Sequence, residues 1–140
     1  MKAILLCGVL GLSSCVGTPR ADPIYDKVFT EYERRDIERE LASDGTLAAA
    51  CRGDSQAIHK IFECSMTWGR EGGERSEGCI ISTLALMFHL GDSAFASALG
   101  RESKETREAV GRSIDHSMVY HRLSYPLTRA VYEYRETSGS

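Results

Sequence analysis

The sequence lacks the local signatures by which most chemistry is recognised. It contains no Gly-x-Ser-x-Gly elbow, no Walker A glycine loop and no dinucleotide-binding glycine pattern, so nothing points to serine-hydrolase, P-loop or Rossmann chemistry. Neither Cys-x-x-Cys nor His-Glu-x-x-His occurs. The four histidines are His59, His89, His116 and His121. His116 and His121 stand five apart, about 140° apart around a helix, whereas a helical zinc pair needs i, i+4. All four read as surface or hydrogen-bonded histidines, and no cofactor or metal is expected. Clustered Lys and Arg are missing too: 17 basic residues are spread among 20 acidic ones, which argues against a nucleic-acid partner. No basic helix marks a membrane-surface contact. Beyond the first residues, no apolar run reaches the ~20 residues of a membrane span.

The chain begins MKAILLCGVLGLSSC. Lys2 supplies a short positive segment, and residues 3–12 form an apolar stretch of signal-peptide length. The stretch ends Leu12-Ser13-Ser14-Cys15. An aliphatic residue, two small residues and a cysteine at this position resemble the lipobox of bacterial lipoproteins. The resemblance covers the first fifteen residues. It implies that residues 1–14 are a signal peptide removed before Cys15, that the Cys15 thiol carries a diacylglyceryl group, and that the new N-terminus is acylated. Several acyl chains on one cysteine make a firm anchor, because each buried methylene contributes about 0.8 kcal/mol. Val16 occupies the position where an aspartate favours inner-membrane retention in that family, so the resemblance implies the periplasmic face of the outer membrane. Residues 15–22 read as a lipidated tether, because Gly, Pro and Asp discourage regular structure.

Removing the first fourteen of 140 residues leaves 126, with 16 basic and 20 acidic side chains and a net charge of −4. That length suits one domain with a single core, expected over residues 23–136 with a frayed tail at 137–140. Of the five cysteines, Cys51, Cys64 and Cys79 then remain. An exported protein meets oxidising conditions, so one disulfide and one leftover thiol are expected.

Helical periodicity dominates the rest. Residues 23–41 carry Tyr25, Val28, Phe29, Tyr32, Ile37 and Leu41 at helical spacing, with Asp22 as cap and Pro23 in the first turn. A shorter helix follows to Cys51 and stops at Gly53. Asp54 or Ser55 opens another, with Ala57, Ile58, Ile61, Phe62, Cys64 and Trp68 on its apolar face. WGREGGERSEG carries four glycines among alternating charges and reads as a mobile connector. Its Glu71, Glu74 and Glu77 beside Arg70 and Arg75 are those of a solvated loop, with an acidic recognition loop as the functional alternative. IISTLALMFHL, nearly all apolar, is expected to be the central buried helix. Gly91-Asp92-Ser93 stops and restarts the chain. Ser103 caps a helix bearing Val110, Ile114, Met118 and Leu123, and Pro126 introduces a last amphipathic turn. Tyr120, Tyr125, Tyr132 and Tyr134 crowd this end and fit either an interface or the edge of the core.

Gly-Asp-Ser occurs twice, at Gly53-Asp54-Ser55 and Gly91-Asp92-Ser93, 38 residues apart. The first copy, preceded by Arg52, spells an adhesion motif. Its recurrence after Leu90 marks shared turn chemistry instead: glycine tolerates the left-handed conformation after a helix, and Asp or Ser caps the next one. Ala57, Ile58 and Ile61 match Phe95, Ala96 and Leu99 in offset. The longer helices that follow match as well, if the second connector is about eight residues shorter. The plan is similar to short HEAT-like repeats. The expected fold is therefore all-α, a small bundle or a short solenoid of antiparallel helical hairpins.

The hairpin plan selects the disulfide. Cys64 and Cys79 flank the glycine-rich connector and fall at similar depth on antiparallel helices. Cys51 and Cys64 would be about 10 Å out of step along the axis, too far for a Cα separation below ~7 Å. Cys64–Cys79 is the expected pair.

Two functions of different classes follow. The first is a non-enzymatic module, anchored to the membrane through lipid alone, that binds an envelope or periplasmic protein; its sharper form is an immunity protein or inhibitor. The alternative is an envelope hydrolase using carboxylates or histidines. It predicts a concave pocket with convergent acids or histidines of perturbed pKa, and His89, His116 or His121 meeting Asp or Glu in such a cleft would favour it.

Overall fold

The computed structural model describes residues 25–67, 74–118 and 125–133. Among the described residues there are seven helices: α1 (Tyr25–Val28), α2 (Glu31–Ala42), α3 (Thr46–Cys51), α4 (Ser55–Thr67), α5 (Glu74–Leu99), α6 (Lys104–Met118) and α7 (Pro126–Tyr132). No strand occurs among the described residues. The fold is an all-α small bundle. α5 is its axis, packed against α3, α4, α6 and α7, while α4 also touches α3 and α6.

The single helix expected over 23–41 is two helices. Thr30 leaves helical geometry (φ −64°, ψ 162°) and caps α2. Its hydroxyl accepts the Glu33 amide at 3.3 Å, while the Glu33 carboxylate accepts the Thr30 amide at 2.7 Å. This is a reciprocal capping box. Thr30-x-x-Glu33 is legible as one, but the apolar spacing running through it masked the stop. α2 is mostly charged and pairs its charges along its own surface, Arg35 with Glu31 and Arg39 with Asp36 at 2.7 Å. Only Ile37 is fully buried from it, so α2 lies on the bundle by a narrow apolar stripe.

The axis begins earlier and runs longer than the sequence implies. A cap at Ser76 would start this helix at residue 77, whereas α5 starts at Glu74, inside the expected connector. At Gly91 the backbone departs from the helix (φ 76°, ψ 167°) and then resumes, giving arms 74–90 and 92–99. Taken through this break, Glu77–Leu99 is long and apolar enough to cross a membrane by length and composition alone, a run not expected from the sequence, where polar Asp92 and Ser93 interrupt it. The fold interrupts it at the same place, at Gly91. The segment packs against α3, α4, α6 and α7, and 44% of its most apolar window is buried.

The core is built where the two Gly-Asp-Ser units match. Ala57, Ile58 and Ile61 of α4 and Phe95, Ala96 and Leu99 of α5 are all buried, as are Leu84 and Ile114 on the longer helices. Phe62 and Phe95 meet edge to face at 5.3 Å and are the largest fully buried side chains. Each such burial stabilises by about 1.5–3 kcal/mol relative to exposure. The Ser103 cap forms as expected, its hydroxyl accepting the Thr106 amide at 3.1 Å. Helix α6 lies close to α7 because Gly111 leaves room for the Tyr132 ring; a Cβ at 111 would come within 2.5 Å of it.

Candidate functional site

The two Gly-Asp-Ser junctions share a glycine of positive φ but not an aspartate role. Gly53 (φ 91°) and Gly91 (φ 76°) both take the left-handed region. At the first junction the Gly53 amide donates to Ala50 O at 2.9 Å and the Asp54 amide to Ala49 O at 3.1 Å, a Schellman closure of α3. The Asp54 carboxylate then accepts the Ala57 amide at 2.8 Å and caps α4, whose first residue is Ser55. Replacing Gly53 or Gly91 with valine is expected to lower stability by at least ~1 kcal/mol through lost left-handed tolerance. Unchanged thermal melting in both variants contradicts this. Arg52, the residue that completes the adhesion motif, is exposed and 3.8 Å from Asp44.

At the second junction the expected cap is displaced. Asp92 does not close its own helix. Its two carboxylate oxygens accept the Leu127 amide at 2.9 Å and the Thr128 amide at 2.8 Å, so Asp92 caps α7 from 35 residues away. The same letters serve different helices because α7 packs against the α5 break. Ser93 is exposed. Desolvation is the largest single influence on the Asp92 carboxyl and pushes its pKa up; the hydrogen bonds from Leu127 and Thr128 together outweigh it and hold the pKa below its ordinary value. A depressed carboxyl contributes stability above the unfolded pKa of about 3.9 and loses it as pH falls through the folded value. Asp92→Ala is therefore expected to lower stability by ~1 kcal/mol at neutral pH. The gap to the wild type should close in strong acid. Urea titrations at both pH values check this, and a gap that persists in acid contradicts it.

Helices α4 and α5 bring the Cys64 and Cys79 sulfurs to disulfide distance, with Cα atoms 5.5 Å apart. Beside them Ser65 and Thr83, both buried, are hydrogen-bonded at 3.2 Å, and the Thr83 hydroxyl also donates to Cys79 O at 2.8 Å. Cys51 is the third thiol, half-buried at the end of α3. Burial pushes its pKa up to about 11 against the opposing charge of Arg52, which keeps it a thiol near neutrality.

A concavity lies next to this cysteine pair. A groove of ≈ 500 Å³ runs between α2 on one side and α4 with α5 on the other. Ile37, Leu47, Ile61 and Ile81 supply its aliphatic lining. Asp36, Arg39 and Glu40 stand on the α2 rim and Lys60 on the α4 rim. Asp36 and Arg39 neutralise one another, whereas Glu40 and Lys60 face the groove with no ion-pair partner among the described residues. The sequence pattern does not reveal this groove, because its walls come from four separate helices.

Among the histidines, His59, on the exposed face of α4, meets two carboxylates. Its Nδ1 lies 2.8 Å from Glu102 and its Nε2 3.3 Å from Glu63. The hydrogen bond with Glu102 is the main cause of a raised pKa, with the Glu102 charge and Glu63 adding to it against a small desolvation effect. The two carboxylates occupy opposite ring nitrogens and do not converge on a common point. His89 is half-buried, and burial lowers its pKa; His116 is exposed on α6. No group of three or more His, Cys, Asp or Glu side chains is placed to hold a metal ion among the described residues. Cys15, His121, Tyr120, Tyr134 and residues 68–73 of the glycine-rich connector lie outside the described residues. Comparison of the chain with protein-family models, curated proteins and solved structures finds no match.

Proposed function

We propose that the protein is a lipid-anchored, non-enzymatic binding module of the bacterial envelope, held at the periplasmic face of the outer membrane. The observation that carries the reading is the Leu12-Ser13-Ser14-Cys15 stretch after a ten-residue apolar segment, with Cys15 as the lipid attachment. The partner is an envelope or periplasmic protein. The groove between α2 and α4–α5 supports this, since an aliphatic concavity between helices with charged residues beside it offers a partner protein both apolar contact and charge recognition. An immunity or inhibitor role, neutralising a secreted toxin or cell-wall hydrolase, is the sharper form. The net charge of −4 after processing favours it, because an acidic surface speeds capture of a basic partner. Chemical crosslinking in the intact envelope, followed by mass spectrometry, should return a reproducible protein partner. Repeated recovery of none contradicts the proposal.

A further inference from the structure

The groove contains a residue that the fold itself does not explain. Gly78 lies in the second turn of α5 and lines the groove. A glycine inside a helix is destabilising relative to alanine, so a reason is expected. Gly53 and Gly91 need left-handed backbone, and Gly111 makes room for Tyr132. Gly78 has neither reason: its φ is not positive, and a Cβ there would meet nothing within 4 Å. What the missing side chain leaves is bare helical backbone at the lip of an aliphatic groove. Small residues of this kind let a second helix approach closely.

The rim charges describe that second helix. Glu40 stands on one wall and Lys60 on the other, each without an ion-pair partner among the described residues, above the lining of Ile37, Ile61 and Ile81. We infer that the groove receives a helix of the partner protein, of mixed charge and with one aliphatic side chain at its centre. The aliphatic side chain enters among Ile37, Ile61 and Ile81, and the helix backbone passes over Gly78. A basic residue faces Glu40 and an acidic one faces Lys60. This is helix-in-groove recognition with charges setting register, and it rests on the reading of the protein as a binding module.

The probes are four acetylated, amidated, alanine-rich helical peptides. One carries a central leucine flanked a turn away by one lysine and one glutamate. The others carry two lysines, two glutamates, or the mixed pair with alanine replacing the leucine. Binding is measured to the full mature protein in detergent. The mixed-charge leucine peptide should bind best, the others being weaker by roughly fivefold or more. Lys60→Glu should move the preference to the two-lysine peptide, since both walls are then acidic. Gly78→Ala should raise Tm by about 2–6 °C and yet weaken peptide binding severalfold, a combination that a purely structural role does not produce. Equal binding of the four peptides, no binding of any, or unaltered binding by Gly78→Ala overturns the assignment.

A second arm separates this assignment from the reading beneath it. A photoreactive side chain replaces exposed Arg39 on the groove rim, or exposed Glu108 of α6, in the intact envelope. A protein crosslink at 39 that Lys60→Glu abolishes supports the groove. A protein crosslink at 108 alone keeps the binding-module reading and overturns the groove. No crosslink at either position overturns both.

Discussion

Phe62→Ala is expected to lower the stability of the protein by ~3–5 kcal/mol, the range for emptying a fully buried phenylalanine site. Phe62 has no exposed surface, and its ring meets Phe95 edge to face at 5.3 Å. It sits on α4, the helix packed against α3, α5 and α6 together, so no neighbour is free to collapse into the space. With total stabilities of about 5–15 kcal/mol for ordinary domains, such a loss removes a large share of the whole. Denaturant unfolding should show the midpoint falling sharply with little change in slope. Leu127→Ala is the contrasting variant. That side chain, on α7, is 53% exposed, and its truncation should stay within ~0.5 kcal/mol. Comparable losses in the two variants contradict the proposed placement of the core.

The second large effect concerns the cysteine pair. Cys64 and Cys79 are separated by 15 residues, and closing a loop of that size restricts the unfolded chain enough to stabilise the fold by roughly 3 kcal/mol in the chain-entropy account. A Cys64→Ser, Cys79→Ser double variant should lose about that amount. Wild-type protein treated with reductant should then unfold at the same denaturant concentration as the variant, and the variant should not respond to reductant. Intact mass of exported protein after alkylation without reduction should show one modified thiol, Cys51. Three modified thiols, or a wild type indifferent to reductant, contradict the bond.

These two effects draw on parts of the molecule that differ in how openly the sequence announces them. The Phe62 core was legible because α4 and α5 repeat one apolar spacing after one turn signal, and burial follows spacing on a helix. The Cys64–Cys79 approach was legible because two helices joined by a short connector must run antiparallel, which puts flanking residues level. The role of Asp92 was not legible. Its local context predicts a cap for the following helix, as Asp54 provides, and only the docking of α7 on the α5 break redirects it. Nor was the split between α1 and α2, where the Thr30–Glu33 capping box sits inside an apolar periodicity that runs unbroken through it. The early start of α5 was obscured by four connector glycines, of which Gly78 proves helical.

The site divides along the same line. Cys15 belongs to a contiguous motif and needs no fold to be noticed. Local turn chemistry likewise identifies Gly53 and Gly91, whose positive φ values follow from their positions after helices. The groove is assembled from α2, α3, α4 and α5, and no contiguous pattern encodes it. His59 meets Glu102 across 43 residues, so spacing arguments about histidines, which consider near neighbours on one helix, could not find that pair. Gly78 was visible in the sequence but was assigned to a connector. Its place in a helix, with open space around it, is what gives it meaning.

The central claim, a lipid-anchored binding module, is tested most directly at Cys15. Protein purified from membranes of the producing cell should begin at Cys15, and the mass of its N-terminal peptide should include a diacylglyceryl group and an amide-linked acyl chain on that residue. It should sediment with the outer membrane, and Cys15→Ser should abolish both the added mass and the sedimentation. A mature chain of unmodified mass, released in soluble form and unaffected by Cys15→Ser, contradicts the account.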